Sequence, residues 1–180
     1  MYAEYKIAFR FISGILMLLI AGSGFQGCNG SRGQRAENES NDLAGRFVLV
    51  HPGSARHLQR LEVNRKGSRR KSLVLVAPSI IRGSLEGISG RRHLELSAAP
   101  VFNVGDGVQM NVFLRSAGKR IPLVNRYFDA GRKAEDRDWV RVEIPLDVRR
   151  GDQIEIEAAA GPLGDLAADW LAISSIRIMP

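Results

Sequence analysis

Hydrophobic and polar residues alternate along most of the chain beyond residue 46. In the clearest stretch, residues 108–115, four apolar positions alternate with Gln109, Asn111, Phe113 and Arg115. A period of two is typical of a β-strand with one buried and one solvated face. The same period recurs in residues 93–98, 140–146 and 153–158, and five more short apolar runs are RFVLVH, LQRLEVN, KSLVLVA, KRIPLV and WLAISSIRIM. About nine short strands separated by turn signals predict an all-β fold, an antiparallel sandwich or barrel.

The first 27 residues show a different pattern. Lys6 and Arg10 precede an uncharged apolar run of 11 residues, residues 11–21. A short basic start and an apolar stretch of this length are typical of an export signal, and a membrane-spanning helix needs roughly 20 residues. Three glycines within residues 22–27 match the G-x-G-x-x-G spacing of dinucleotide-binding loops. The polar residues that follow cannot form the helix that such a loop opens, so we exclude a dinucleotide site.

Cys28, the only cysteine of the chain, directly follows this segment. Residues 25–28, FQGC, resemble the bacterial lipobox, in which small residues precede a cysteine that is lipidated and becomes the new first residue. The resemblance implies that acyl chains on Cys28 anchor the protein in the lipid bilayer of a bacterial cell envelope, each buried methylene contributing about 0.8 kcal/mol. Asn29, where an Asp is absent, favours the outer membrane if two membranes are present. The alternative is a plain secretory signal, which would leave Cys28 as a free thiol in a secreted or periplasmic protein.

The remainder of the chain divides into a polar segment and a domain. Residues 29–45 contain three glycines and one large apolar residue, Leu43, and cannot bury enough surface to offset the entropy of ordering. The part that follows has the length of a common single domain. We therefore expect a signal peptide at residues 1–27, the lipidated cysteine and a disordered tether at residues 28–45, and a β-sandwich domain at residues 46–180.

Charge is distributed unevenly along the predicted domain. Residues 46–92 contain 11 basic and two acidic residues, whereas residues 93–180 contain 11 basic and 13 acidic residues. A cationic patch attracts polyanions, which for an exported protein are phosphorylated envelope glycans or anionic lipid head groups, and not nucleic acid. The alternative is a solvated hairpin tip whose charges protect an edge strand from aggregation. The excess is densest in residues 64–71, which contain Arg65, Lys66, Arg69, Arg70 and Lys71.

Residue patterns typical of an enzyme are not found in the sequence. There is no G-x-S-x-G nucleophile, and the three histidines lack the cysteines or the H-E-x-x-H helix of a transition-metal site. We expect no cofactor; Asp165 and Asp169 offer hard oxygen ligands, so the alternative is a structural Ca²⁺. Aromatic rings hold the apolar faces of sugars, and we take Trp139 and Tyr127 as candidates for that role. Trp170 has the strand parity of a core residue.

Four short segments within residues 72–178 share the spacing of one known framework. They are Asp106-Gly107-Val108, Trp139 with Ile144 and Leu146, Gly151 with Ile154 and Ile156, and Asp169-Trp170. In these segments the chain resembles the galactose-binding-like jelly rolls of bacterial exported and envelope proteins. The resemblance implies a two-sheet jelly roll of about eight or nine strands, often a carbohydrate-binding module that uses the loops at one end and has no catalytic activity of its own. Ile173 stands where such modules carry a second tryptophan.

These observations lead to two hypotheses about function. In the first, the chain is a membrane-anchored, non-catalytic envelope lipoprotein whose domain binds a surface carbohydrate, such as an anionic one, through Trp139, Tyr127 and the basic residues 65–71. In the second, it is a structural or assembly lipoprotein that contacts another envelope protein.

Overall fold

The computed structural model describes residues 43–51, 57–164 and 168–180. The predicted signal peptide, the lipidation site Cys28 and most of the predicted tether lie outside the described residues. No helix in the described part is long and apolar enough to cross a membrane. Among the described residues, the complete 3-10 turns Ala44–Arg46 and Ala134–Arg137 accompany ten strands. The strands are β1 (Phe47–His51), β2 (Leu58–Arg65), β3 (Ser68–Val76), β4 (Ser79–Ser84), β5 (Gly90–Pro100), β6 (Val108–Ser116), β7 (Lys119–Phe128), β8 (Val140–Val148), β9 (Gln153–Ala160) and β10 (Trp170–Met179).

The strands form two five-stranded sheets in which all paired neighbours are antiparallel. Sheet I has the order β2-β3-β10-β5-β8, and sheet II has the order β1-β4-β9-β6-β7. The predicted all-β class and two-sheet sandwich are confirmed. The sequence reading missed β4, which is short and contains Gly83. A Cβ atom on Gly83 would lie 2.5 Å from the Phe47 ring, so glycine is needed where this ring packs.

The inner faces of the two sheets bury the side chains that the alternation assigns to the core. Met110, Val112 and Ile156 have no exposed surface. Their neighbours of opposite parity on β6, such as Gln109 and Asn111, are partly exposed on the outer face of sheet II. Burying one large apolar side chain contributes about 1.5–3 kcal/mol, so this pattern fixes which face of each strand points inward.

The folded domain begins earlier than the sequence predicts. Leu43, which the prediction places in the tether, is 3% exposed and belongs to the main core. Its backbone N–H donates to the carbonyl oxygen of Ile176 on β10 at 2.6 Å. The prediction was therefore wrong for residues 43–45. Even a single leucine in a polar segment is buried when it can cover an exposed part of the core, and Leu43 covers such a part.

That uncovered surface arises where β2 and β3 leave sheet I. Cross-strand pairing between β3 and β10 is confined to Leu73–Val76 on β3, although β3 continues back to Ser68. The pairing of β2 with β3 continues to a two-residue turn, Lys66-Gly67, in which both residues have positive φ. This is the geometry of a type I′ turn, whose twist matches that of the flanking strands. We call β2, this turn and β3 the basic hairpin.

Candidate functional site

The tip of the basic hairpin lies across the outer face of sheet I. The indole Nε1 of Trp139, directly before β8, donates to the carbonyl oxygen of Ser68 at 3.2 Å. The guanidinium of Arg70 lies 5.0 Å from the centre of the Trp139 ring and donates to Ser97 Oγ on β5 at 2.8 Å. These contacts reach strands that are not neighbours of β3 in the sheet, so the hairpin must cross β10.

A small apolar cluster, separate from the main core, lies beneath the crossing hairpin. Val63 of the hairpin is 7% exposed and packs with residues of the outer face of sheet I. The other members are Val74, Ala172, Val101, Trp139 and Trp170. Both tryptophans of the chain therefore lie on this face. The prediction of core packing for Trp170 was wrong: its side chain is partly exposed on the outer face, because a register shift in β10 between Ile173 and Ser175 breaks the parity that Trp170 would share with the buried Ile176.

Arg65 is buried under the hairpin tip and 5% exposed. Its guanidinium donates to the carbonyl oxygen of Val101 at 3.2 Å and to the side-chain oxygen of Asn103. Burial lowers the pKa of Arg65, and the nearby charge of Asp138 partly opposes that effect. The donors of Arg65 thus fasten the hairpin to the loop between β5 and β6.

The remaining predicted basic residues, Lys66, Arg69 and Lys71, are exposed. Arg69 and Lys71 have the same strand parity as Leu73, which is buried in the main core. The difference arises because β3 joins the sandwich only from Leu73 onward. The same face of β3 lies on the core from Leu73 onward but faces water before it. Arg70 is exposed as well, but its contacts with Ser97 and Trp139 hold the hairpin down as those of Arg65 do, which leaves Lys66, Arg69 and Lys71 directed to solvent.

A groove of about 410 Å³ opens where the hairpin leaves sheet I. Leu73 and Ile173 contribute to its lining on the side of the core, and Arg60, Glu62 and Lys71 contribute charged groups from the hairpin. The volume falls within the range of about 300–1,000 Å³ that is usual for ligand sites. Sequence reasoning missed this groove, because the groove forms only where the paired strands β2 and β3 separate from β10.

Tyr127 lies apart from the hairpin, on β7 of sheet II. Its hydroxyl donates to the carbonyl oxygen of Asp106, and Asp129 Oδ2 lies 3.4 Å away. Burial raises the pKa of Tyr127, and the charges of Asp129 and Asp106 add to the effect. The ammonium of Lys133 lies 5.3 Å from the centre of the ring. The structure therefore brings Trp139 to Arg70 of the basic hairpin but does not bring Tyr127 to either residue.

Of the two predicted calcium ligands, Asp165 lies outside the described residues. Asp169 has no exposed surface, and its Oδ2 accepts a hydrogen bond from the backbone N–H of Gly161 at 3.0 Å. Among the described residues, no group of three or more His, Cys, Asp or Glu side chains is placed to hold a metal ion. The Ca²⁺ site remains a prediction.

Sheet II carries a second polar surface on its outer face. Glu155 on β9 has a side chain only 3% exposed, although it points away from the main core. It accepts from Arg82 at 2.8 Å and from Arg120 at 2.6 Å, and Arg115 lies 3.5 Å away. Burial alone would raise the pKa of Glu155, but the hydrogen bonds from Arg82 and Arg120 outweigh burial and lower it. The alternation in residues 108–115 signals this solvated face, but not its contacts.

Comparison with known proteins finds similarity in structure only. No known family model and no curated protein matches the sequence. The CBM51 module from Clostridium perfringens GH95, in complex with methyl-galactose, is 12% identical, with a TM-score of 0.50 over 74% of this chain and 92% of that chain. TmCBM61, in complex with β-1,4-galactotriose, is 12% identical, with a TM-score of 0.52 over 78% and 92%. The CBM22-1 xylan-binding domain from Paenibacillus barcinonensis Xyn10C is 10% identical, with a TM-score of 0.52 over 77% and 90%.

At these identities the similarity establishes the fold. The domain is a galactose-binding-like jelly roll, as the framework residues predicted, and it shares this fold with carbohydrate-binding modules.

Proposed function

We propose that this chain is a membrane-tethered, non-catalytic module that binds an acidic carbohydrate through the solvent face of the basic hairpin and the adjoining groove. Three proteins of the same fold support carbohydrate as the ligand class: two were solved with galactose-containing sugars, and the third is a xylan-binding domain. The observation that carries the proposal is the exposed cationic face of Lys66, Arg69 and Lys71 beside a groove of about 410 Å³.

Electrostatics favour an acidic sugar on this face. Arg60, Lys66, Arg69 and Lys71 face solvent together with a single carboxylate, Glu62, which lies opposite Lys71. This excess of positive charge attracts an acidic polymer over about a Debye length, roughly 8–10 Å at ordinary salt. Attraction of this kind weakens as salt is added.

The groove supplies groups that suit the uncharged part of a sugar. The carboxylate of Glu62 can accept hydrogen bonds from hydroxyl groups. Leu61, which is 42% exposed, also lines the groove, but it has the strand parity of Val63 and so lies on the opposite side of β2 from Glu62. A second carboxylate does not line the groove within the described residues, whereas most glycoside hydrolases use two. The groove is therefore suited to holding a sugar rather than to cleaving it.

The internal contacts of the hairpin hold the backbone that carries its exposed cations in place. Trp139, Arg65 and Arg70 attach the tip to three separate parts of the domain. A surface ordered before binding loses less conformational entropy when the ligand arrives. We infer that these three residues support recognition by positioning the hairpin.

A direct test uses the full-length chain in detergent and compares acidic polygalacturonate with a neutral galactan. We expect polygalacturonate to bind, its affinity to fall steeply with salt, and the double variant Arg69→Glu/Lys71→Glu to weaken binding at least tenfold. Lys119→Glu reverses the charge of an exposed side chain at the β6–β7 turn. It is the matched control and should retain binding. Binding that is equal in both variants and insensitive to salt would overturn the proposal.

Membrane tethering through Cys28 has its own test. Metabolic labelling with a fatty acid should mark the wild-type chain, and Cys28→Ser should abolish the label and release the protein from the membrane fraction. An unlabelled wild-type chain would refute the anchor while leaving carbohydrate binding untouched. The bacterial envelope location belongs to the same proposal.

The loop end of the sandwich favours protein contact as a second candidate function. Val104 is 69% exposed and Leu163 is 77% exposed, and the N–H of Leu163 donates to Asp106, so the two loops lie together. Exposed apolar side chains on adjoining loops are typical of protein contact sites. A stoichiometric partner that is lost in Val104→Asp and retained in Arg69→Glu/Lys71→Glu would support an assembly role.

A further inference from the structure

Three side-chain amides form a continuous row across two strands on the outer face of sheet II. Gln109 Nε2 donates to Asn125 Oδ1, and Asn125 Nδ2 donates to Asn111 Oδ1 at 3.0 Å. Gln109 and Asn111 lie on β6, and Asn125 lies opposite Asn111 on the edge strand β7. Both hydrogen bonds are exposed to solvent, so the row forms a polar surface that a ligand can reach.

The row has unused hydrogen-bonding groups at both ends. In the described part of the chain, Gln109 Oε1 accepts no hydrogen bond and Asn111 Nδ2 donates none. The row therefore presents an acceptor at one end and a donor at the other. A sugar hydroxyl can act as both donor and acceptor, so the hydroxyls of a bound sugar can satisfy both ends of the row. The amides already hold one another in place, which reduces the entropy cost of binding.

The side chains around the row fit a sugar ring. Tyr127 lies opposite Gln109 on β7 and places a half-buried aromatic ring at one end of the row. Ala159 lies opposite Gln109 on β9, and its small side chain leaves space on the floor of the surface. Glu157, opposite Asn111, borders the row on its other side.

Charge distinguishes this surface from the basic hairpin. Glu157 accepts from Arg120 at 2.8 Å, and Arg120 also contacts Glu155, which binds Arg82 as well. The charged groups of sheet II thus pair largely with each other, and the three amides carry no charge. A surface of this kind recognises hydroxyl groups by hydrogen bonds and attracts acidic polymers only weakly.

We propose that the outer face of sheet II, along Tyr127, Gln109, Asn125 and Asn111, is a second binding surface that takes an uncharged sugar residue. It is distinct from the hairpin and its groove, which lie on the other sheet. The amides bind the hydroxyls of the sugar, and the Tyr127 ring contacts its C–H face. One molecule then holds an acidic segment on one face and a neutral segment on the other.

The test uses the full-length chain in detergent and neutral β-1,4-galacto- and xylo-oligosaccharides at high salt, where the hairpin contributes little. We expect the NMR signals of the side-chain NH₂ groups of Gln109, Asn111 and Asn125 to shift on titration. Asn125→Ala removes the central amide, with two hydrogen bonds, and should weaken binding about tenfold. Gln109→Ala, on the neighbouring strand, should weaken it by a smaller factor.

Asn64→Ala, an exposed asparagine on the basic hairpin, is the matched control and should bind the neutral sugar as wild type does. Thermal unfolding of each variant checks that it folds. If no neutral oligosaccharide shifts the three NH₂ signals, or if Arg69→Glu/Lys71→Glu abolishes neutral binding, the proposal is overturned. The two proposals fail separately, because Asn125→Ala should leave salt-sensitive binding of polygalacturonate intact.

Discussion

The two sheets present outer faces of different construction. On sheet I, the basic hairpin crosses the face and covers Trp139 and an apolar cluster. On sheet II, the face carries Glu155, its three arginine neighbours and a row of amides. The first face is stabilised by an added layer of chain, and the second by pairing between its own polar groups.

Arginine therefore has two structural roles in one small domain. Arg65 and Arg70 bind backbone and hydroxyl oxygens and an indole ring, and in this way they attach one part of the chain to another. Arg82 and Arg120 surround a buried carboxylate and reduce the cost of removing it from water. The same residue type thus cannot be assigned to ligand binding before its neighbours are known.

The largest effect should come from detaching the hairpin. Trp139→Ala removes the ring beneath Arg70 and the donor to Ser68, and we expect it to lower the free energy of unfolding by about 3 kcal/mol. Urea unfolding measures this change, and amide hydrogen exchange in β2 and the start of β3 should rise well above that in sheet II. Uniform exchange in both sheets would contradict the role of Trp139 in holding the hairpin.

A somewhat smaller loss should follow when the carboxylate of sheet II is removed. Glu155→Ala leaves Arg82, Arg115 and Arg120 without their shared partner, and we expect a loss of about 2 kcal/mol, less than for a fully buried pair because the arginines are about one third exposed. Glu157→Ala is the matched control, and its effect should stay below about 1 kcal/mol because its ion pair is more exposed. If urea unfolding showed the same loss of unfolding free energy in Glu155→Ala and Glu157→Ala, the difference between the two carboxylates would be refuted.

The same carboxylate should make stability depend on pH. The pKa of Glu155 in the folded protein is below its usual value of 4.5, so the unfolded chain takes up a proton first as pH falls. The stabilisation by Glu155 is complete when the pH is above the usual pKa of a glutamate. It is lost as the pH falls through the lower pKa that Glu155 has in the folded protein. Urea unfolding across this acidic range should show that the free energy of unfolding depends less steeply on pH in Glu155→Gln than in wild type. Identical pH profiles would show that Glu155 does not contribute.

The smallest effects should come from the two hairpin turns, one on each sheet. Lys66 and Ala117 have φ values of 45° and 48°, and each precedes a glycine. Asparagine tolerates this conformation well, so Lys66→Asn and Ala117→Asn should each stabilise the fold by about 0.5 kcal/mol. Only Lys66→Asn should reduce binding of polygalacturonate, and a similar reduction in both variants would argue against the hairpin as the binding face.

The sequence predicted much of the fold but less of the surface. Alternation and short apolar runs together identified nine of the ten strands and missed β4, where Gly83 interrupts the apolar series and makes room for Phe47. It also placed Leu43 in the tether, because burial of a single leucine depends on a gap in a distant strand pair. The framework residues predicted the jelly roll, which the structural comparisons confirm.

The site was harder to predict because strand parity specifies a face only while the strand stays in its sheet. Lys71 and Leu73 share parity, but one is exposed and the other is buried, because β3 leaves the core between them. Tyr127 and Trp139 are close in sequence, yet they belong to different sheets and make separate contacts.

The amino-acid sequence by itself determined which residues form strands and which side of each strand avoids water, because both follow from a local period and from the free energy of burying apolar groups. Only the tertiary structure decided that the hairpin crosses sheet I, which cations face solvent, and that three amides form one row. Those outcomes depend on contacts between strands that are distant in sequence, and no local pattern encodes such contacts.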